Sequence, residues 1–184
     1  MILPIVSYGS PVLRQECDAI SSNYENLDIL LADMWETMYN ASGVGLAAPQ
    51  INKSIRLFIV DSSPFYDDDD KKDSLKKVFI NPQILAEDGE EWVFNEGCLS
   101  IPGVREDVVR KSNITIKYQN ENFVTKTENF DGVNARVIQH EYDHINGILF
   151  TDKVSILKKR MIKGKLNDVT KGITPTDYRI KHFK

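Results

Sequence analysis

Apolar residues first fall into a helical rhythm at Leu27, Leu30, Leu31, Met34, Trp35 and Met38, three or four positions apart. Ser22-Asn23-Tyr24-Glu25 just before them has the form of a capping box, so a first helix is expected from there to about Ser42-Gly43. The period then changes. Residues 55–61 and 78–81 are short apolar runs rich in β-formers, Glu91-Trp92-Val93-Phe94 follows, and residues 113–118 alternate cleanly between apolar and polar. Residues 122–130 are expected to pair with that alternating strand as a hairpin. Asp131-Gly132 interrupts the strand pattern, and helical spacing returns over 134–146 with Gly147 as its stop. A basic amphipathic helix is expected over about 155–169, closed by Gly172 and Pro175. Helix, several strands, helix, helix predicts an α+β fold, mainly antiparallel sheet packed around the 134–146 helix.

Composition narrows the class. With 184 residues and 41% hydrophobic content the chain can bury one proper core, and it contains no apolar run long enough for a membrane span. No linker or repeat divides it, so a single catalytic domain over 1–184 is expected, ending in a tail over 172–184. A net charge of −4 argues against a dedicated nucleic-acid surface. The run Asp67-Asp68-Asp69-Asp70-Lys71-Lys72-Asp73 reads as a solvated loop. The start Met1-Ile2-Leu3-Pro4-Ile5-Val6 lacks the basic region and length of a signal peptide, and Cys17 and Cys98 stand too far apart to suggest a disulfide framework. A reducing cytoplasm is the expected compartment.

The chemistry concentrates on the 134–146 helix. His140-Glu141-Tyr142-Asp143-His144 places two imidazoles one turn apart with a carboxylate beside them, the arrangement of two metal ligands and a base. Only three histidines occur in the chain, and two of them occupy this pattern. Zinc proteases with such a helix draw a third ligand from downstream. Here Phe150 stands where the extended motif has its last histidine, and no glutamate follows Glu141. The third ligand must come from upstream, or be an aspartate such as Asp152 or Asp168. Cys98, in Glu96-Gly97-Cys98-Leu99-Ser100, is the best upstream candidate, because a thiolate binds zinc or ferrous iron strongly. A third segment, Gly43-Val44-Gly45-Leu46-Ala47-Ala48-Pro49-Gln50, leaves backbone open to close approach and ends on an amide able to donate to an oxyanion.

These three segments, in this order, resemble the hallmarks of the peptide deformylases, and the resemblance covers nearly the whole chain. It implies one divalent ion on Cys98, His140 and His144, with iron(II) expected and zinc, nickel or cobalt able to take the same place. Glu141 would move the proton of a water attacking the formyl carbon of N-formylmethionyl nascent peptides, with Gln50 and the Leu99 N–H as oxyanion donors. Val44 and Gly45 would pair with the peptide backbone. The methionine pocket would be lined by Gly43, Arg136, Val137 and His140, the Arg136 head reaching water. Glu96, Arg105 and Asp143 would orient ligands or loops.

Two other classes remain, a metalloprotease and a non-catalytic metal-binding module whose fourth ligand would be Cys17 or His182. Between Lys153 and Lys171 seven basic residues face one acid, Asp168, and such a helix is a candidate for docking on ribosomal RNA. A monomer is expected.

Overall fold

The computed structural model describes residues 1–183. In chain order the elements are β1 (Ile5–Val6), α1 (Leu27–Asn40), β2 (Gly45–Ala47), β3 (Leu57–Asp61), β4 (Lys76–Cys98), β5 (Ile101–Gln119), β6 (Thr125–Asp131), α2 (Gly132–Ile145), α3 (Phe150–Lys153), α4 (Ile156–Thr170) and β7 (Ile180–Lys181). Strands β2 to β6 form one antiparallel sheet in chain order, and β7 pairs in parallel with β1. The architecture is α+β, as the order of periodicities predicts.

Helix α1 buries Leu30, Leu31, Met34 and Met38, which pack on Leu46, Leu57 and Ile59 of the sheet. Its start differs from expectation. The first helical hydrogen bond runs from Leu30 N to Asn26 O, and Asn26 sits at a φ of 57° without a side-chain cap. Ser22 lies too early to cap this helix, and the segment it was read from forms a turn closed by Tyr24 N to Ser21 O.

The sheet departs more widely. Residues 78–81 and 91–94 are not separate strands but parts of the 23-residue β4, which runs beside the 19-residue β5 as one long hairpin. Its polar middle, from Ala86 to Glu91, is exposed on both faces, so no alternation marks it in the sequence. The register of this hairpin shifts at four points, one of them around Gly89 at φ +77°. The β5–β6 hairpin forms, Asn113 opposite Asp131 through Gln119 opposite Thr125, but its second strand runs from Thr125 to Asp131 rather than over 122–130, the first residues of that range lying in the turn. The Asp67 to Asp73 loop lies exposed between β3 and β4.

Helix α2 crosses the sheet, touching β2, β3, β5 and β6. Ala135, Ile138 and Ile145 are fully buried against Phe58, Phe79 and Ile116, and each isoleucine is worth about 2 kcal/mol of transfer free energy. The opposite side of the same helix is buried too, yet carries Arg136, Gln139, Glu141, Asp143 and His144. Burying that many polar groups is unfavourable unless each is paired.

Candidate metal centre and active site

Four segments converge on α2: the residues before and along β2, the end of β4, the turn into β5, and α3. The Cys98 thiol, delivered by the last residue of β4, lies 3.3 Å from His144 Nε2. One ligand atom each from Cys98, His140 and His144 falls within 4.8 Å of the others. Tetrahedral coordination at about 2.0–2.3 Å needs donor atoms this close, and one thiolate with two imidazoles suits zinc or iron(II). Among the described residues this is the only group of three or more Cys, His, Asp or Glu side chains so arranged. Cys17 packs in the hydrophobic cluster behind α2, and His182 lies against Gly172, so neither joins it. Phe150, standing where a protease would place a histidine, stacks on the His140 ring at 6.1 Å between centroids.

Glu96 fixes His140. Its Oε2 accepts from His140 Nδ1 at 3.0 Å and from Arg110 Nη2 at 3.0 Å, while Oε1 accepts from Arg110 Nε at 2.7 Å and Arg136 Nη1 at 3.0 Å. Holding a proton on Nδ1 leaves the His140 Nε2 lone pair for the cluster. Arg110 also donates from Nη1 to Asp143 at 2.6 Å. Burial by itself would raise the Glu96 pKa, but His140 and Arg110 outweigh it and hold this carboxyl well below the usual range. Arg110 is likewise held charged by Glu96 and Asp143 in spite of its burial.

Arg136 Nε, Gln139 Oε1 and His144 Nδ1 are buried without partners as well, but each of those side chains is bonded through another atom, and Glu141 is the one that makes no side-chain hydrogen bond among the described residues. Its Oε2 is buried and makes no hydrogen bond within the protein. Burial is the main reason its pKa rises to about 7, with His140 pulling it down and Glu96 pushing it up. Its carboxyl lies on bare backbone: a Cβ at Gly45 would come within 2.7 Å of Glu141 Cδ and 2.8 Å of Cγ. Only glycine leaves that room.

Gln50 is fixed from behind. Ala47 N donates to its Oε1 at 2.8 Å, which turns Nε2 toward Ser100 Oγ at 3.3 Å and Cys98 Sγ at 3.6 Å. Leu99 follows the cysteine in the turn, and its side chain closes over Gly43, where a Cβ would lie 2.8 Å from Leu99 Cδ1. Gly43, Val44, Gly45, Gln50, Cys98, Leu99, Val137, His140 and Glu141 all line one cleft of about 690 Å³. Strand β2 is an edge of the sheet, and Val44, beside it, already gives its carbonyl to Asp61 N at 2.8 Å.

Arg136 corrects the expectation. It lines the cleft, but its head does not reach water: the residue is 2% exposed and its guanidinium donates to Glu96, Val108 O and Trp92 O. The acid beneath it and the Trp92 ring 4.5 Å away make a partnered interior site for the charge. Glu96 and Asp143 are buried partners rather than surface charges, whereas Arg105 is exposed and bonds Asn95. Arg110 went unseen in the sequence, as did cleft-lining residues such as Phe65, Phe94 and Ile101. Arg110 carries no local signal, because its partners are fixed by the β4–β5 register and by α2.

Comparison with known proteins agrees with this geometry. The polypeptide deformylase family model matches residues 2–160. A peptide deformylase of Flavobacterium johnsoniae is 60% identical, the match covering 98% of this chain and 96% of that protein, and one of Chlorobium luteolum is 45% identical over 98% and 93%. Among solved structures, a peptide deformylase from Legionella pneumophila superposes with a TM-score of 0.81 at 36% identity, covering 95% of this chain and all of that one. One from Plasmodium falciparum gives 0.82 at 33%, covering 91% and 95%. A match of this length and identity, on a fold that gathers the three sequence segments into one cleft, places the chain in the polypeptide deformylase family.

Proposed function

We propose that this chain hydrolyses the N-formyl group from formylmethionyl ends of nascent polypeptides, giving formate and a free amino terminus, with Cys98, His140 and His144 holding the divalent ion. The observation that carries the reading is Glu141, a buried carboxyl with one unpartnered oxygen, set against the bare backbone of Gly45 beside the Cys/His cluster. Deformylases are metal-dependent, and the soft thiolate makes iron(II) the expected ion, with zinc, nickel or cobalt as substitutes. A metalloprotease reading has less support, since Phe150 supplies packing where that class needs a ligand.

An extended peptide is held along the β2 edge through the backbone of Val44 and Gly45, a mode that reads little sequence. The methionine side chain enters beside Gly43, Val137, His140 and the Arg136 stem. When bound, the ion supplies Lewis-acid chemistry, lowering the pKa of water and polarising the formyl carbonyl. Glu141 accepts the proton of the attacking water and returns it to the departing amine nitrogen. Gln50 Nε2 and the Leu99 N–H donate to the formyl oxygen as charge gathers on it, each such donor being worth about 3 kcal/mol of barrier. Glu96 holds the His140 ring in place throughout.

Anaerobically purified protein loaded with iron or nickel is expected to release formate from formyl-Met-Ala-Ser. A chelator is expected to stop the release and added metal to restore it. No formate from either loaded form would overturn the reading.

Among the described residues no helix is long and apolar enough to cross a membrane. We place this single catalytic domain in the cytoplasm, as a monomer working beside translation. Helix α4 is the surface offered for ribosome docking: Ile156, Leu157 and Met161 are 74%, 69% and 72% exposed among its basic residues. Cosedimentation with ribosomes is expected to be lost on deleting residues 155–184, and retention would remove docking by this helix.

A further inference from the structure

The tail after α4 lies beyond the part of the chain matched by the family model, which ends at residue 160, yet it returns to the cleft. Cys98 pairs with Ile101, so Leu99 and Ser100 are the two central residues of the β4–β5 turn. Two-residue hairpin turns that suit strand twist need a positive φ, and neither residue has one. The turn is therefore held from outside. Tyr8 N donates to Ser100 O at 2.8 Å, Gln50 Nε2 to Ser100 Oγ at 3.3 Å, and Tyr178 Oη to Leu99 O at 2.7 Å. Of these three ties, only Tyr178 grips the central peptide of the turn by its carbonyl.

The phenol is itself well seated. Its ring packs on the α1 core, and the residues after it are fixed by Ile5 N to Arg179 O at 2.9 Å and Ser7 N to Lys181 O at 3.0 Å. The tail also covers the bulge after the turn, where a Cβ on Gly103 would meet Thr174 Cγ2 at 3.2 Å. A carbonyl anchored in this way cannot swing when charge develops nearby, so the adjoining Leu99 N–H keeps its aim without reorganising during the reaction.

We infer that Tyr178 is a positioning residue, its hydroxyl holding the Leu99 carbonyl so that the turn presents the Leu99 N–H to the formyl oxygen. The inference rests on the deformylase reading of Leu99. Tyr178→Phe removes one hydroxyl and keeps the ring in the core. The variant is expected to lose about threefold to tenfold in kcat, the range set by one hydrogen bond, with KM changed less than twofold. Amide hydrogen exchange at Leu99, followed by NMR on the zinc-loaded protein, is expected to quicken by a similar factor while Ile59 in the core stays unchanged.

Both changes are required. Unaltered Leu99 exchange, or unaltered kcat, would overturn the inference, including the case in which only the melting temperature falls because the phenol merely pins the tail. The exchange readout does not need turnover. Absence of formate release by the wild type, with Leu99 exchange still quickened in the variant, would sink the deformylase reading instead, and the positioning role with it.

Discussion

Glu141→Gln is expected to lower kcat about 1000-fold while leaving metal content intact. General acid–base groups contribute about 100-fold to 10,000-fold, and in the proposed mechanism one side chain serves both the attacking water and the departing amine. The glutamine keeps the volume over Gly45, so a rate loss cannot be blamed on repacking. Stability should move the other way. A buried carboxyl whose Oε2 has no partner is destabilising in the folded state, and the neutral amide relieves part of that cost. The melting temperature is therefore expected to hold or rise as activity falls. A variant that retains more than a tenth of wild-type kcat would remove Glu141 from the proton path.

Arg110→Ala is the substitution expected to cost most in stability, about 3–5 kcal/mol. It leaves Glu96 without two of its four hydrogen bonds and Asp143 without its buried partner, and an unpaired interior charge carries that order of penalty. In a domain of this size each kcal/mol shifts the melting point by about 2–4 °C, so a fall of roughly 10 °C is expected in thermal unfolding. Activity should fall as well, since Glu96 would no longer be held under His140. A loss below about 1 kcal/mol would mean that Arg136 alone can hold Glu96.

These two residues mark what the sequence makes legible. Glu141 is visible because its neighbours at i−1 and i+3 are histidines, and helical spacing turns that string into a face without any tertiary knowledge. The ends of α2, Gly132 and Ile145 against the expected 134–146, differ by two residues and one. Arg110 is invisible by the same logic. On β5 it lies opposite Trp92, and its carboxylates come from β4 and α2, so its role exists only once register and packing are set. Arg136 was misplaced for a related reason: nothing in 134–146 says that Glu96 waits beneath it.

Strand lengths failed on different physics. Periodicity reports burial, and the middle of the β4–β5 hairpin has no buried face to report. The tail carries no signal in the sequence because its contact with the turn is one hydroxyl meeting a carbonyl 79 positions away. Cys98 and Gln50 could be picked out as candidates because their chemistry was scarce enough to be conspicuous. The α+β order needed only the succession of periods.

The contact between Gly45 and Glu141 also bears on escape from inhibition. Any side chain at position 45 displaces the carboxyl proposed to move the proton, and no smaller residue exists to substitute. A compound that gains its grip from the backbone there presses on a site where resistance and disablement are the same change.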